Sequence, residues 1–82
     1  MSLTYAQKMA LGAKRATYRR RLQEVLDAQS LSGAALARQL GISGVAVYRT
    51  LSGQLHSPKV LDWLRAHGAQ EKYLCDPRTL DQ

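Results

Sequence analysis

The chain has 82 residues, of which 12 are Lys or Arg and 6 are Asp or Glu, so its formal net charge is +6 at pH 7. Its length predicts one small domain, whose modest core has to come from Leu, Val, Ile, Ala and a few Tyr because Phe is absent. The single cysteine excludes an internal disulfide framework, and no apolar run is long enough for a membrane span or a signal peptide. We therefore expect a cytoplasmic protein without membrane contact.

The basic residues are unevenly distributed. Residues 1–29 hold six basic and two acidic residues, residues 30–56 hold two basic and no acidic residues, and residues 57–82 hold four of each. Carboxylates repel phosphates, so the acid-free run from Ala28 to Leu61 favours a surface for an anionic polymer. Because basic small proteins are common, this charge pattern indicates nucleic acid only when the fold also suits it.

Residues 4–29 have a helical pattern, in one piece or in two. Thr4 and Gln7 have the spacing of a capping box. Gly12 is the weakest point, because glycine costs about 1 kcal/mol relative to alanine in a helix interior. The later part carries an apolar stripe that predicts the first core helix: Leu22, Val25 and Leu26. The basic segment 1–15 before it is either a helical extension, solvated or packed in a dimer, or an arm that follows a DNA backbone.

Two short helical patterns joined by a tight turn occupy residues 32–53. Ser32 and Ser43 are suitable N-caps for the two helices, and Gly41 can end the first one in the left-handed conformation. Helices this short with so tight a turn have to cross at a steep angle. This is the arrangement of a helix-turn-helix.

Six residues of this stretch carry a resemblance to a known family: Leu36, Ala37, Leu40, Gly41, Ile42 and Val47. In this register the stretch resembles the helix-turn-helix of the phage lambda repressor and Cro family, also called XRE-like regulators. The resemblance implies an all-α, lambda repressor-like DNA-binding domain of four to five short helices over residues 1–82. Thr50 stands where the family pattern usually has a bulky apolar residue, so we expect packing under the second helix to shift toward Leu51.

The C-terminal part predicts one more core helix and a short tail. Ser57 and Pro58 are a typical helix start, and Gly68 stops the helix 57–67. Its buried face is predicted to consist of three residues, with Trp63 at the margin: Val60, Leu61 and Leu64. Residues 69–75 add one helical turn that ends at Asp76-Pro77, and the tail beyond it is expected to be loose.

The resemblance implies that the second motif helix, 43–52, enters the major groove of DNA. The residues expected to contact bases are Ser43, Gly44, Val45, Tyr48 and Arg49. Arg49 can donate two hydrogen bonds to guanine, and Val45 can contact a thymine methyl group. Tyr48 bonds a phosphate or a base edge, or only packs.

Phosphate contacts are expected from basic and polar residues around the motif: Arg19, Arg20, Arg21, Gly33, Arg38 and Gln39. At most two of the three consecutive arginines can reach one backbone, because three residues cover most of a helical turn. Gly33 stands where family members often carry a phosphate-binding glutamine, so this contact is either lost or passes to backbone N–H groups.

Neither a catalytic site nor a metal site is expected. His56 and His67 are eleven residues apart without a carboxylate at ligand spacing, and Cys75 has no histidine or second cysteine nearby. His67 is better explained as a partner of a helix C-terminus. We expect no cofactor, no metal and no small-molecule ligand.

These observations predict sequence-specific binding of double-stranded DNA by a bacterial or phage transcriptional regulator of the repressor type. A homodimer on a near-palindromic operator is expected, with its surface either among Trp63, Tyr73, Leu74 and Leu80 or in the stretch 9–11. Two alternatives stay open. One is a DNA-binding accessory factor for recombination or transposition, and the other is a protein–protein module that has lost DNA binding. The absence of side chains at Gly33 and Gly44 favours the second, and the acid-free run opposes it.

Overall fold

The computed structural model describes residues 3–80, and all regular structure in this part of the chain is helical. Its seven helices are α1 (Tyr5–Thr17), α2 (Arg19–Ala28), α3 (Gly33–Leu40), α4 (Gly44–Leu51), α5 (Pro58–Ala66), α6 (Glu71–Leu74) and α7 (Pro77–Leu80). The all-α prediction is confirmed, but these residues form seven helices instead of the expected four to five. Helix α6 corresponds to the turn predicted over residues 69–75, whereas α7 was not predicted. None of the helices within residues 3–80 combines the length and apolar character that a membrane span needs.

The N-terminal segment forms two helices that meet at Tyr18. The predicted capping box is present: the Thr4 hydroxyl accepts a hydrogen bond from the Gln7 amide, and the Gln7 side chain accepts one from the Thr4 amide. Gly12 does not break the helix. It lies against Gly53, and a Cβ atom on Gly12 would collide with the Gly53 carbonyl oxygen. Glycine is therefore needed here because the backbones of α1 and of the chain after α4 touch.

Helix α4 lies at the centre of the fold and contacts α1, α2, α3 and α5. Thr50 is fully buried, and its hydroxyl donates a 2.7 Å hydrogen bond to the carbonyl of Ala46 within the same helix. This bond satisfies the polar group at the position where the family usually has an apolar residue. Thr50 and Leu51 are both buried, together with the other core residues: Leu22, Leu26, Leu36, Ala37, Val47, Val60, Leu61, Trp63, Leu64 and Leu74.

A three-residue turn joins α3 to α4. The Ser32 hydroxyl accepts from the Ala35 amide at 3.0 Å, and the Ser43 hydroxyl accepts from the Ala46 amide at 3.1 Å. Gly41 ends α3 in the left-handed conformation with φ 71°. The caps and the turn glycine are thus the residues that the sequence predicts, because their signals are local.

Arg15 of α1 is fully buried and joins three segments of the chain. Its guanidinium group is bonded to five acceptors: Leu74 O (2.6 Å), Thr50 O (3.1 Å), Leu55 O (2.9 Å), Cys75 O (3.1 Å) and His56 Nδ1 (2.7 Å). Several of these carbonyls are at the ends of α4 and α6, where helical carbonyls lack partners within their own helix. We call this arrangement the Arg15 clasp. It favours the helical extension over the DNA-following arm for the N-terminal segment, since Arg15 is not accessible to a ligand.

Helix α5 begins at Pro58 as predicted, although the Ser57 side chain makes no capping hydrogen bond. His67 follows its last residue, with Nδ1 2.8 Å from the Trp63 carbonyl oxygen and its ring stacked on the Trp63 ring. His67 is thus the partner of a helix C-terminus, as expected. Trp63 is only 7 % exposed, so it belongs to the core and the predicted marginal position is wrong.

A network of ion pairs connects α5, α6 and α7. Asp76 is 2 % exposed, and its carboxylate accepts hydrogen bonds from Arg65 Nη2 at 3.1 Å and from Arg78 Nη2 at 2.8 Å. The same two guanidinium groups also bind the exposed carboxylates of Asp62 and Glu71. Burial raises the pKa of Asp76, but the hydrogen bonds from Arg78 and Arg65 outweigh burial and hold the pKa below its usual value.

This network corrects the prediction of a loose tail. Pro77 is buried and begins α7 instead of ending all regular structure. The prediction is therefore wrong for residues 77–80, and its remaining part lies outside the described residues.

Candidate nucleic-acid interface

Helix α4 buries one face and leaves the opposite face exposed. The exposed side chains include two large apolar ones, Val45 (56 % exposed) and Tyr48 (55 % exposed). We call the following set the outer face of α4, and all its members are exposed: Ser43, Gly44, Val45, Tyr48 and Arg49. Residues three or four apart in a helix are neighbours on its surface, so Val45, Tyr48 and Arg49 form one continuous strip.

Gly44 at the start of α4 is not required by the fold. A Cβ atom built at this position meets no atom within 4 Å, and the residue is not in the left-handed region. The outer face is therefore open at Gly44, between Ser43 and Val45.

Helix α2 contributes a cation to the outer face. The Arg19 guanidinium carbon lies 5.1 Å from the centre of the Tyr48 ring, within the range of a cation–π contact. A guanidinium group stacked on a ring keeps the N–H groups in its own plane available as donors. The sequence analysis predicted a phosphate contact for Arg19 and a base-edge, phosphate or packing contact for Tyr48. It did not predict that the two side chains touch each other.

The three consecutive arginines have different surroundings. Arg21 forms an exposed 3.3 Å ion pair with Glu24, whereas Arg20 and Arg19 line a shallow concavity that also contains Glu24 and Asp27. Arg19 also makes the cation–π contact with Tyr48 on the outer face of α4. This arrangement agrees with the expectation that the three do not act together on one backbone.

Helix α3 provides the remaining predicted phosphate contacts. Arg38 and Gln39 are exposed, and within residues 3–80 no hydrogen bond or ion pair joins their side chains to the outer face of α4. Gly33 is half-buried, and a Cβ atom there would lie 3.8 Å from a methyl group of Val47. Of the motif residues, Leu36, Ala37 and Val47 are buried, Leu40 and Ile42 are half-buried, and Gly41 is exposed in the turn.

Ion pairing divides the exposed and half-exposed arginines into two groups. Arg65 and Arg78 are neutralised by the C-terminal carboxylates, and Arg21 pairs with Glu24. Four other arginines make no ion pair within residues 3–80: Arg19, Arg20, Arg38 and Arg49. These four unpaired arginines lie on α2, α3 and α4, and the lysines of α1, α5 and α6 also make no ion pair within residues 3–80.

His56 and Cys75 have structural surroundings. Burial and the neighbouring charge of Arg15 lower the pKa of His56, whose Nδ1 accepts a hydrogen bond from Arg15. Burial raises the pKa of the Cys75 thiol, and the thiol is 3.6 Å from the carbonyl oxygen of Lys72. Among the residues from 3 to 80, no three His, Cys, Asp or Glu side chains are grouped as metal ligands would be.

The first expected dimer surface is occupied inside the chain. Leu74 and Trp63 are buried, and the half-buried Tyr73 packs its ring on that of Tyr18 with centroids 4.8 Å apart. The prediction is therefore wrong for these three residues, because they complete the core under α6. The Leu80 side chain lies outside the described part of the structure.

The competing surface on α1 is exposed. Within the predicted stretch 9–11, Met9 is 56 % exposed, Ala10 is exposed and Leu11 is half-buried. Tyr5 lies outside this stretch and is 79 % exposed; it lines an open groove together with Met9 and the loop that follows α4. Lys8 and His56 also line this groove.

Comparisons of the chain with protein-family models, with curated proteins and with solved structures find no match. The functional assignment therefore depends on the residues and geometry described above.

Proposed function

We propose that this chain is a helix-turn-helix protein of the lambda repressor and Cro type, which binds double-stranded DNA with α4 in the major groove. The observation that supports this proposal best is the outer face of α4. It combines exposed Val45, Tyr48 and Arg49 with Arg19 on the Tyr48 ring, and neither α3 nor α4 contains an acidic residue. A helix is about 10–12 Å wide with its side chains, and the major groove of B-DNA is about 12 Å wide.

The uncompensated arginines account for the affinity in this proposal. Arg19, Arg20 and Arg38 contact phosphates, and Arg49 donates to the O6 and N7 atoms of a guanine. If these three arginines neutralise about three phosphates per protomer, the logarithm of its affinity falls with the logarithm of the salt concentration at a slope near −2.7. A dimer doubles that slope.

The proposed biological role is that of a bacterial or phage transcriptional regulator of the repressor type, acting in the cytoplasm. One α4 contacts only a few base pairs, so a homodimer on a near-palindromic operator provides the discrimination that a genome requires. The stretch 9–11 on α1 is the surface proposed for such a dimer, supported by the exposure of Met9 and Ala10 and of the nearby Tyr5.

The test is a selection of bound sequences from a random duplex pool, followed by affinity measurements at several salt concentrations. We expect a two-fold repeated motif, and Arg49→Ala should cost about 1–3 kcal/mol and relax the preference at one guanine. Lys72→Ala removes the same charge from α6 and serves as the control, which should leave the preference unchanged. Absence of duplex binding at low salt, or affinity that is independent of salt, would refute the proposal.

A second candidate is a protein–protein module, because exposed Val45 and Tyr48 are also typical of a surface that binds another protein. The sign of the charge opposes it: neither α3 nor α4 contains an acidic residue, and four arginines on α2, α3 and α4 make no ion pair within residues 3–80, which favours a polyanion as the partner. The same binding experiment separates the two candidates.

A further inference from the structure

Helices α1 and α2 are separated by one residue, Tyr18, which we call the hinge. The hinge has φ −103° and ψ 12°, whereas a residue in an α-helix has φ of about −63° and ψ of about −42°. The surrounding residues 14–22 include neither glycine nor proline, so no residue type near the hinge opposes a continuous helix. A conformational change at this one residue is therefore sufficient to join α1 and α2 into a single helix from Tyr5 to Ala28.

The start of α2 is poorly suited to a separate helix. The hinge makes no side-chain capping hydrogen bond, and the first turn contains no acidic residue but three consecutive arginines, Arg19, Arg20 and Arg21. The N-terminus of a helix carries about half a positive elementary charge, so cations in its first turn are unfavourable. In a continuous helix these arginines lie in the interior, and the first amides of α2 gain carbonyl partners in α1. The local energetics at the hinge thus favour the straight form.

Contacts with distant parts of the chain hold α1 in the bent position. Gly12 touches the backbone of Gly53, the Arg15 clasp reaches α4, the loop after it and α6, and the Tyr18 ring packs on that of Tyr73. Because α2 is anchored in the core, a straight hinge takes α1 away from these partners. The vacated site is unfavourable, since buried carbonyls of the clasp lose their donor. The α1 helix of a second copy fits this site, because it carries the same glycine and the same arginine.

We propose that two copies of this chain exchange α1, so that each copy has one continuous helix from Tyr5 to Ala28 and places Arg15 in the clasp of its partner. The contacts of α1 with the rest of the fold are the same in both forms, so the hinge and the protein concentration determine which form is populated. The exchanged dimer is two-fold symmetric, because each copy gives and receives the same helix. It leaves the outer face of α4 exposed. The inference does not depend on the proposed function, although a two-fold dimer suits a near-palindromic operator.

Two substitutions at the hinge form a matched pair for the first test. Tyr18→Ala and Tyr18→Gly both remove the ring contact with Tyr73, and they differ in helix propensity at the hinge. Glycine disfavours a helix interior about fivefold relative to alanine, and the dimer has two hinges, so the dimer Kd should be about thirtyfold lower for Tyr18→Ala. Sedimentation equilibrium measures both constants. Glu24→Ala and Glu24→Gly are the control pair, because this exposed position is helical in both forms and their Kd values should agree.

A mixing experiment tests whether the dimer exchanges α1. Gly12→Ala and Gly53→Ala each damage the contact between α1 and the chain after α4, because a Cβ atom on either glycine collides with the carbonyl oxygen of the other. In a monomer or in a dimer without exchange, each copy keeps its own damage. In an exchanged dimer of one copy of each variant, one of the two contacts has glycine on both sides. An equimolar mixture that is refolded together should therefore melt at a higher temperature than either variant alone.

Equal Kd values for the hinge pair would overturn the inference, and so would a mixture that melts no higher than its components. A dimer that shows neither effect and is weakened by Met9→Ser is held by the exposed side of α1, without exchange. The absence of a dimer in every variant, Tyr18→Ala included, also contradicts exchange. Binding to duplex DNA is measured separately. Specific binding without exchange leaves the proposed function intact, whereas exchange without duplex binding refutes the proposed function and supports this inference.

Discussion

Replacing Arg15 by methionine tests whether the clasp stabilises the whole fold. The substitution keeps an unbranched apolar side chain of comparable length in α1 and removes every donor of the guanidinium group. Four backbone carbonyls and His56 Nδ1 then lose a hydrogen bond. Three of these bonds, to Leu74, Thr50 and Cys75, are buried, where water does not easily replace the lost donor.

The magnitude follows from the buried acceptors that are left without a partner. The Thr50 carbonyl keeps a 3.2 Å hydrogen bond from the Gly53 amide, so these acceptors are the carbonyls of Leu74 and Cys75. Each buried polar group left without a partner costs about 1–3 kcal/mol, so the low end of this range already gives a loss of about 2 kcal/mol. Burial lowers the pKa of Arg15, which indicates that its charge is costly to desolvate, and removal of the charge recovers part of that cost. We therefore use the low end of the range, about 1 kcal/mol for each buried acceptor left without a partner. A chain of this size has a free energy of unfolding of about 4–12 kcal/mol, so the loss is a large fraction of the total.

Thermal unfolding followed by circular dichroism measures the effect. For a domain of this size 1 kcal/mol shifts Tm by about 4–8 °C, so Arg15→Met should lower Tm by about 8–16 °C. Arg15→Lys keeps the charge but has only three donors for five acceptors, and its Tm should be intermediate. Lys14→Met changes the exposed neighbour on the same helix and should leave Tm within a few degrees of the parent. If Arg15→Met also melted within a few degrees of the parent, the clasp would not be a stabilising element.

Two further perturbations test the same packing. The pKa of His56 is lower in the folded chain than its ordinary value of 6.5, so the unfolded chain binds more protons below about pH 6.5 and stability should fall as the pH drops from there. His56→Asn keeps an acceptor toward Arg15 without a titrating group, and it should flatten the curve of Tm against pH between about 7 and 5. Gly12→Ala forces a Cβ atom into the Gly53 carbonyl oxygen and should lower Tm strongly, whereas Gly44→Ala meets open space and should leave Tm unchanged or raise it. Equal melting temperatures for the two alanine variants would contradict the backbone contact between α1 and the end of α4.

The sequence allowed the motif to be predicted because each of its signals is local. Ser32 and Ser43 cap amides only three residues away, and Gly41 depends only on its own backbone conformation. The role of Arg15 involves residues 35 to 60 positions away, and nothing within one helix distinguishes it from an exposed arginine. Its one available signal is its spacing, because it continues a helical stripe that includes four apolar or aromatic residues: Leu11, Tyr18, Leu22 and Leu26. The sequence analysis instead grouped Arg15 with the other basic residues of segment 1–15, as part of a solvated, dimer-packing or DNA-following surface.

The candidate site could likewise be predicted where its signals lie within one helix, and not where it depends on contacts between helices. The 3.6-residue period is sufficient to place Val45, Tyr48 and Arg49 on the side opposite to Val47, and the structure places them there. The contact of Arg19 with Tyr48 depends on how α2 packs against α4, which no local pattern specifies.

The C-terminal error has a different origin. Asp76 and Pro77 are a local helix start of the same kind as Ser57 and Pro58, and the Asp76 carboxylate accepts a 2.9 Å hydrogen bond from the Arg78 amide at the start of α7. The ion pair of Asp76 with Arg65, eleven residues away, has no local signal.

These contacts separate the stability of α4 from its proposed contact with DNA. A helix of eight residues is marginal in isolation, so α4 depends on its buried face and on its ends to keep its conformation. Val47 and Leu51 pack into the core, Ser43 caps the first turn, and Arg15 binds the Thr50 carbonyl in the last turn. None of these groups lies on the exposed strip that begins at Val45. Substitutions on the strip should therefore change affinity for DNA at constant Tm, whereas substitutions of the supporting groups should change Tm and reduce binding mainly through the fraction of folded protein.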